Sequence, residues 1–226
     1  MQALVNSSVP PQALLELAHF AEVIPFQTEG ITFPELSGHA DLFVCPTPKA
    51  LIAAPNLPQQ ILQRLSQSNP ILRGDTLVGE QLSSLGAYNV AVGDSFVIAN
   101  PNLIDPIVRE QLSHLTMIPT RQGLCRCGAI CLGDAVLTSD GGIAKACKNA
   151  GVEHLLVDSD SIVLPSYRCG CIGGCCGVDN DTLYLIGSLR YHPQGSQIAM
   201  FLKEHSFQLV ELYDGPLFDA GSILFF

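Results

Sequence analysis

Positive charge is scarce in this chain of 226 residues: 11 lysines and arginines stand against 21 aspartates and glutamates, a net charge of −10. Nucleic-acid binding needs clustered Lys and Arg, so that partner class is not expected, whereas cationic ligands suit the acidic balance. Hydrophobic residues make up 47% of the chain and charged residues only 14%, yet no apolar run reaches membrane-spanning length, and no membrane partner is expected. The segment Met1–Ser8 lacks a basic stretch followed by a long apolar one, so no signal peptide is predicted and the expected location is cytoplasmic.

Paired Cys-x-x-Cys knuckles are missing too, although there are nine cysteines. Without an export signal these are expected as reduced thiols rather than a disulfide framework. Cys45 and Cys147 sit in apolar periodic contexts and are expected to be buried as small hydrophobes. The other seven form two groups, Cys125/Cys127/Cys131 and Cys169/Cys171/Cys175/Cys176. Four thiolates in a tetrahedral array would suit zinc or an iron–sulfur cluster, but the spacing is poor for it, so no metal and no cofactor is assigned. A redox relay of Cys175–Cys176 with Cys127 stays open, provided those thiols are activated. The run Cys169–Gly177 is rich in glycine but has no Lys-Ser/Thr and no helix directly after it, which excludes a phosphate loop.

What the chain does have is a loose repeat of about forty to fifty residues, a period typical of propellers and arrays. The clearest copy opens with Gly128–Thr138, two β-prone runs joined by the turn Gly133-Asp134. A helix over Gly142–Ala150 follows, with Ile143, Ala146, Cys147 and Ala150 at helical spacing and Gly151 as its stop, then the strand His154–Asp158. Upstream, Tyr88–Val92 and Ser95–Ala99 flank Gly93-Asp94 before a helix near Leu103–Ser113 and a strand Leu115–Pro119. Two more copies read Asp41–Arg73 and Cys176–Leu212. The ends complete a fifth: Gly221–Phe226 and Gln2–Val5 as a hairpin, Pro11–Phe20 as a helix, Glu22–Phe26 as the last strand. A unit split between the termini removes the exposed edge of an open array. The expected fold class is therefore α/β, a closed five-unit propeller with pseudo-fivefold symmetry, formed by residues 1–226 as one domain.

Five ββαβ-like units of this kind resemble the pentein, or guanidino-group-modifying enzyme, fold shared by arginine and agmatine deiminases, dimethylarginine hydrolases and amidinotransferases. Gln122–Cys127, Ala135–Lys145, Cys171–Gly174 and Pro216–Leu224 resemble an uncharacterised bacterial branch of that superfamily. The resemblance implies that the start of each first hairpin strand faces a central channel, where carboxylates grip a guanidinium and a cysteine attacks its carbon. A carboxylate pairs bidentately with the planar guanidinium, and a histidine can carry protons to the leaving amine.

Carried onto this chain, the resemblance implies Cys175 or Cys176 as nucleophile, His39 as acid/base, and Asp41, Asn89, Cys127 and Asp219 as substrate-binding residues. The chain departs from those enzymes in lacking a Gly-Gly-Asp/Glu element and a histidine before the first strand of the middle unit. Asp41 and Asp219 have a simpler reading as turn caps, His39 as a strand-edge residue and His192 as a helix cap. Two functions thus remain: a cysteine-dependent hydrolase or amidinotransferase acting on a small cationic guanidino compound, and a silent pentein domain that binds a small molecule or a protein, as the ribosome anti-association factors of the superfamily do.

Overall fold

The computed structural model describes residues 1–226. Its strands form five separate three-stranded sheets, each with an antiparallel strand pair and a third strand parallel to the middle one. Parallel neighbours need a crossover connection, and a helix supplies it in every unit.

The chain begins inside the split unit with β1 (Gln2–Asn6), α1 (Pro11–Leu17) and β2 (Glu22–Phe26). Next come β3 (Val44–Pro46), β4 (Leu51–Ala53), α2 (Gln59–Leu65) and β5 (Ile71–Arg73). After the short α3 (Leu82–Leu85), the unit of β6 (Ala91–Val92), β7 (Phe96–Ala99), α4 (Pro106–Gln111) and β8 (Thr116–Pro119) follows. A single turn, α5 (Cys125–Gly128), leads into β9 (Ala129–Leu132), β10 (Ala135–Thr138), α6 (Gly141–Ala150) and β11 (His154–Leu156). The remaining elements are β12 (Cys176–Asp179), β13 (Thr182–Leu185), α7 (Gly195–Glu204), β14 (Gln208–Glu211) and β15 (Leu224–Phe225). β15 pairs antiparallel with β1, Ala3 opposite Phe225 and Leu4 opposite Leu224, so both chain ends share one sheet.

Local chemistry explains the unit. In α6, Asp140 accepts from the amides of Gly142 and Ile143 at 2.7 and 2.8 Å, and Gly151 ends the helix at φ 71°, a left-handed conformation that a Cβ disfavours. Ile143, Ala144 and Cys147 form its buried face. Cys45 and Cys147 are both buried among apolar side chains, as their contexts predict. All nine cysteines are free thiols.

The first strands β3, β6, β9, β12 and β15 all contribute to the wall of one cavity of about 290 Å³. β9 touches both β6 and β12, and β12 touches β15. Segments that precede these first strands meet one another, with Cys127 reaching Asp41 and Ser222 reaching both Asp41 and Gly173, and they carry most of the candidate residues. No helix is long and apolar enough to cross a membrane.

Candidate functional site

Asp41 was expected at the head of a strand. It lies instead in a 3-10 turn, Ala40–Leu42, because Leu42 and Phe43 bond back to the carbonyls of His39 and Ala40, and β3 starts only at Val44. The turn holds His39 and Asp41 inside the molecule, at 2% and 1% exposure.

From the next unit, Asn89 braces the α5 turn. Its Oδ1 accepts from the amides of Arg126 (2.7 Å) and Cys127 (3.2 Å), and its Nδ2 donates to Cys127 Sγ (3.3 Å). Cys127 Sγ in turn donates to Asp41 Oδ2 at 3.0 Å. The Ser222 hydroxyl, from the split unit, lies 2.9 Å from the same carboxylate oxygen and 3.0 Å from the Gly173 carbonyl. Asp219 accepts from the amides of Cys171 (Oδ2, 2.8 Å) and Gly221 (Oδ1, 3.1 Å), so it caps a turn while its carboxylate is buried beside the others.

Glycines permit this crowding. A Cβ on Gly174 would fall 1.9 Å from Asp219 Oδ1, and one on Gly221 would fall 2.3 Å from the His39 ring.

The electrostatics follow from burial. Removal from water pushes the Asp41 carboxyl up to about 6, against the pull of the Cys127 and Ser222 hydrogen bonds and the Arg126 charge. Burial raises Asp219 to about 7, opposed by its two backbone donors and reinforced by the charge on Asp41. His39 is pushed down to about 4 by burial alone, which leaves a neutral imidazole at neutral pH. Neither His39 nitrogen nor Asp41 Oδ1 has a hydrogen-bond partner in the protein. Burial, then the carboxylates Asp41 and Asp219, hold the Cys127 thiol well above its ordinary value.

The seven sequence candidates are placed differently. His39, Asp41 and Cys127 present one donor atom each within 4.8 Å of one another, and Asn89 bonds directly to this set. Asp219 lies close enough for its charge to couple to Asp41 and Cys127. Cys175 and Cys176 are buried next to it, but their thiols lie against the carbonyls of Cys171 and Ile172, both at 3.2 Å. Burial sends the Cys175 thiol well above its ordinary value and Cys176 up to about 12. A metal ion would find its donors in His39, Asp41 and Cys127, a set of imidazole, carboxylate and thiolate compatible with zinc, rather than in either cysteine group.

Three residues were not singled out from the sequence: Ser222, Cys171 and Arg126. Ser222 reads as a turn serine, and its positive φ of 68° gives no sequence signal. Cys171 was visible only as one of a cysteine group, and Arg126 only as a letter between two cysteines.

Over residues 4–224 the sequence matches a family described as a family of unknown function, DUF6873. The chain belongs to that family. No curated protein matches its sequence. Among solved structures, DDAH from Pseudomonas aeruginosa, complexed with citrulline, aligns with a TM-score of 0.54 at 10% identity, over 92% of this chain and 85% of that one. Agmatine deiminase of C. jejuni aligns with a TM-score of 0.54 at 10% identity, over 90% of this chain and 74% of that one. SxtG, an amidinotransferase from Microseira wollei, aligns with a TM-score of 0.51 at 10% identity, over 93% and 87% of the two chains. This DUF6873 member therefore has the pentein fold of the guanidino-modifying enzymes, and at such identity the likeness speaks for fold alone.

Proposed function

We propose that this DUF6873 protein is a single-domain pentein whose five units close into a ring, and that its axis binds a small cationic guanidino compound. Ring closure is supported by the β15–β1 pairing and by one cavity walled by the first strand of every unit. One observation carries the ligand class: two buried carboxylates, Asp41 and Asp219, flank a thiol and a neutral imidazole, with no cationic side chain bonded to either. Buried carboxylates without a cation favour protonation, and a guanidinium would reverse that by pairing with them.

The chemistry such a ligand would meet is cysteine-dependent hydrolysis or amidino transfer. Cys127 is the thiol best placed for it, since Cys175 and Cys176 face carbonyls of their own turn. The Cys127 sulfur adds to the guanidinium carbon, and its proton passes through His39 to the departing nitrogen. The amine leaves, giving a thiouronium on Cys127. Water, or a second amine in a transfer, then adds to that carbon and the sulfur departs, taking back a proton. The positive substrate beside Cys127 lowers the cost of the thiolate that burial otherwise imposes.

A silent binding domain is the second reading, favoured by the tight seating of Gly174 on Asp219 and Gly221 on His39. Cysteine-resolved iodoacetamide labelling, with and without arginine or agmatine, combined with mass analysis of both ligands after incubation, separates the two. The enzyme reading expects converted ligand and Cys127 as the cysteine whose rate changes with ligand. Unconverted ligand that still binds supports the silent domain. No binding of either compound, with all thiols uniformly slow, removes the guanidino reading altogether.

A further inference from the structure

The axial cavity holds one cation, and it is not used by the site just described. Arg126 projects from the α5 turn into this cavity, while only its backbone amide serves Asn89. Its guanidinium makes no salt bridge, and its Nη1 is buried without a hydrogen-bond partner in the protein. It shares the cavity wall with residues of β3, β6, β9, β12 and β15, and its charge is felt by Asp41, Cys45, Cys131 and Cys176, four residues from three different units. Asp41 Oδ1 is also without a partner, so the two groups share a wall without pairing.

The rest of the lining is mostly apolar, with Asp41, Asp94 and Asn180 among its polar residues. Val44, Val90, Ile130, Val178 and Leu224, from β3, the approach to β6, β9, β12 and β15, line the cavity together with the arginine. Asp94 and Asn180, both on hairpin turns, are the polar groups at the other end. A volume of about 290 Å³ is near the lower bound for small-molecule sites, large enough for a molecule of roughly ten heavy atoms. A half-buried guanidinium whose Nη1 has no partner in the protein is matched by a planar carboxylate, which accepts two parallel hydrogen bonds. Aliphatic walls match a hydrocarbon body and offer nothing to a second charge.

We propose that this axial cavity binds a small monocarboxylate with an apolar body, its carboxylate on the Arg126 guanidinium and its hydrocarbon part against the valines and leucine of the first strands. Asp41 borders both this cavity and the site assigned to the cationic compound, but the carboxylate site rests on Arg126 and the apolar wall, so it stands whether or not that assignment does.

Calorimetric titration of the full chain with benzoate and hexanoate, each against its primary amide, tests it. The acids should bind and their amides bind at least about tenfold more weakly, the loss expected when a charge-assisted bidentate pair is replaced by neutral contacts. Arg126→Met should cost the acids a similar factor, and Val178→Phe should block both acids by filling the cavity with Arg126 intact. Equal binding of acid and amide overturns the proposal. So does the absence of acid binding at about 10 mM, which would mean an arginine that is merely hydrated. The acid–amide comparison uses the unaltered protein and decides the matter even if a variant does not fold.

Discussion

Asp41→Asn should make this protein more stable, in a pH-dependent way. The substitution keeps the shape of the side chain. Oδ2, which takes the Cys127 and Ser222 hydrogen bonds, can remain a carbonyl oxygen, while the amide nitrogen occupies the position of Oδ1, which has no partner. Only the charge goes. Burial lifts the Asp41 carboxyl from 3.8 to about 6 in the folded protein. The folded state thus holds this proton more tightly than the unfolded chain does. That contribution is fully present below about 3.8 and is lost as pH rises through about 6. A displacement of this size is worth about 3 kcal/mol, which the native protein forgoes above neutrality. Asp41→Asn and the native protein should therefore have similar stability near pH 4. At pH 8 the variant should lead by about 3 kcal/mol, or roughly 6–12 °C in thermal midpoint for a chain of this length. Urea unfolding followed by circular dichroism between pH 4 and pH 8 measures the difference. A variant less stable than the native protein at pH 8, or a gap that does not change with pH, would refute the account of Asp41 as a buried, unpaired carboxylate.

Other expectations test the surrounding contacts. Gly174→Ala places a methyl group 1.9 Å from Asp219 Oδ1 and should cost on the order of 2–4 kcal/mol by chemical denaturation; an unchanged midpoint would contradict that close approach. Ser222→Ala removes the hydroxyl between Asp41 and the Gly173 carbonyl, at a cost of about 1–3 kcal/mol, and should raise the Asp41 titration further. Proton NMR of the His39 ring should give a midpoint near 4, and an ordinary histidine midpoint would show the ring to be hydrated.

The architecture was legible because each unit announces itself locally. Gly133-Asp134 and Gly93-Asp94 form the turns between paired strands, Asp140 and Gly151 bound α6, and the terminal segments pair as β15 and β1 as their patterns suggest. Boundaries were read too long: the helix expected over Leu103–Ser113 is Pro106–Gln111, since Pro106 fits only the first turn and Asp105 caps it. The site was legible as a set of residue types but not as a geometry. Which of several neighbouring thiols reaches Asp41 is decided by the one-turn helix Cys125–Gly128, too short to leave a periodic pattern, and by its brace from Asn89 in another unit. The thiols of Cys175 and Cys176 are turned back by the 3-10 turn Gly173–Cys175, whose glycines say only that the backbone passes closely. Nothing in the sequence singles out Arg126 or Ser222, because their importance comes from what other units place around them.

The pairing of β15 with β1 also sets the order in which the molecule can become functional. Ser222 reaches Asp41 across 181 positions of chain, and Asp219 and Gly221 lie beside it in sequence. During synthesis four units can assemble while the earliest-made strand, β1, holds only β2 and waits for its second neighbour. The stretch that supplies that neighbour is the same one that brings Asp219 and Ser222 to Asp41. Closing so long a loop carries a larger entropic cost than the local contacts within each unit. Completion of the last sheet and assembly of the buried carboxylate pair thus depend on the same stretch of chain, so a chain that stalls before it carries neither.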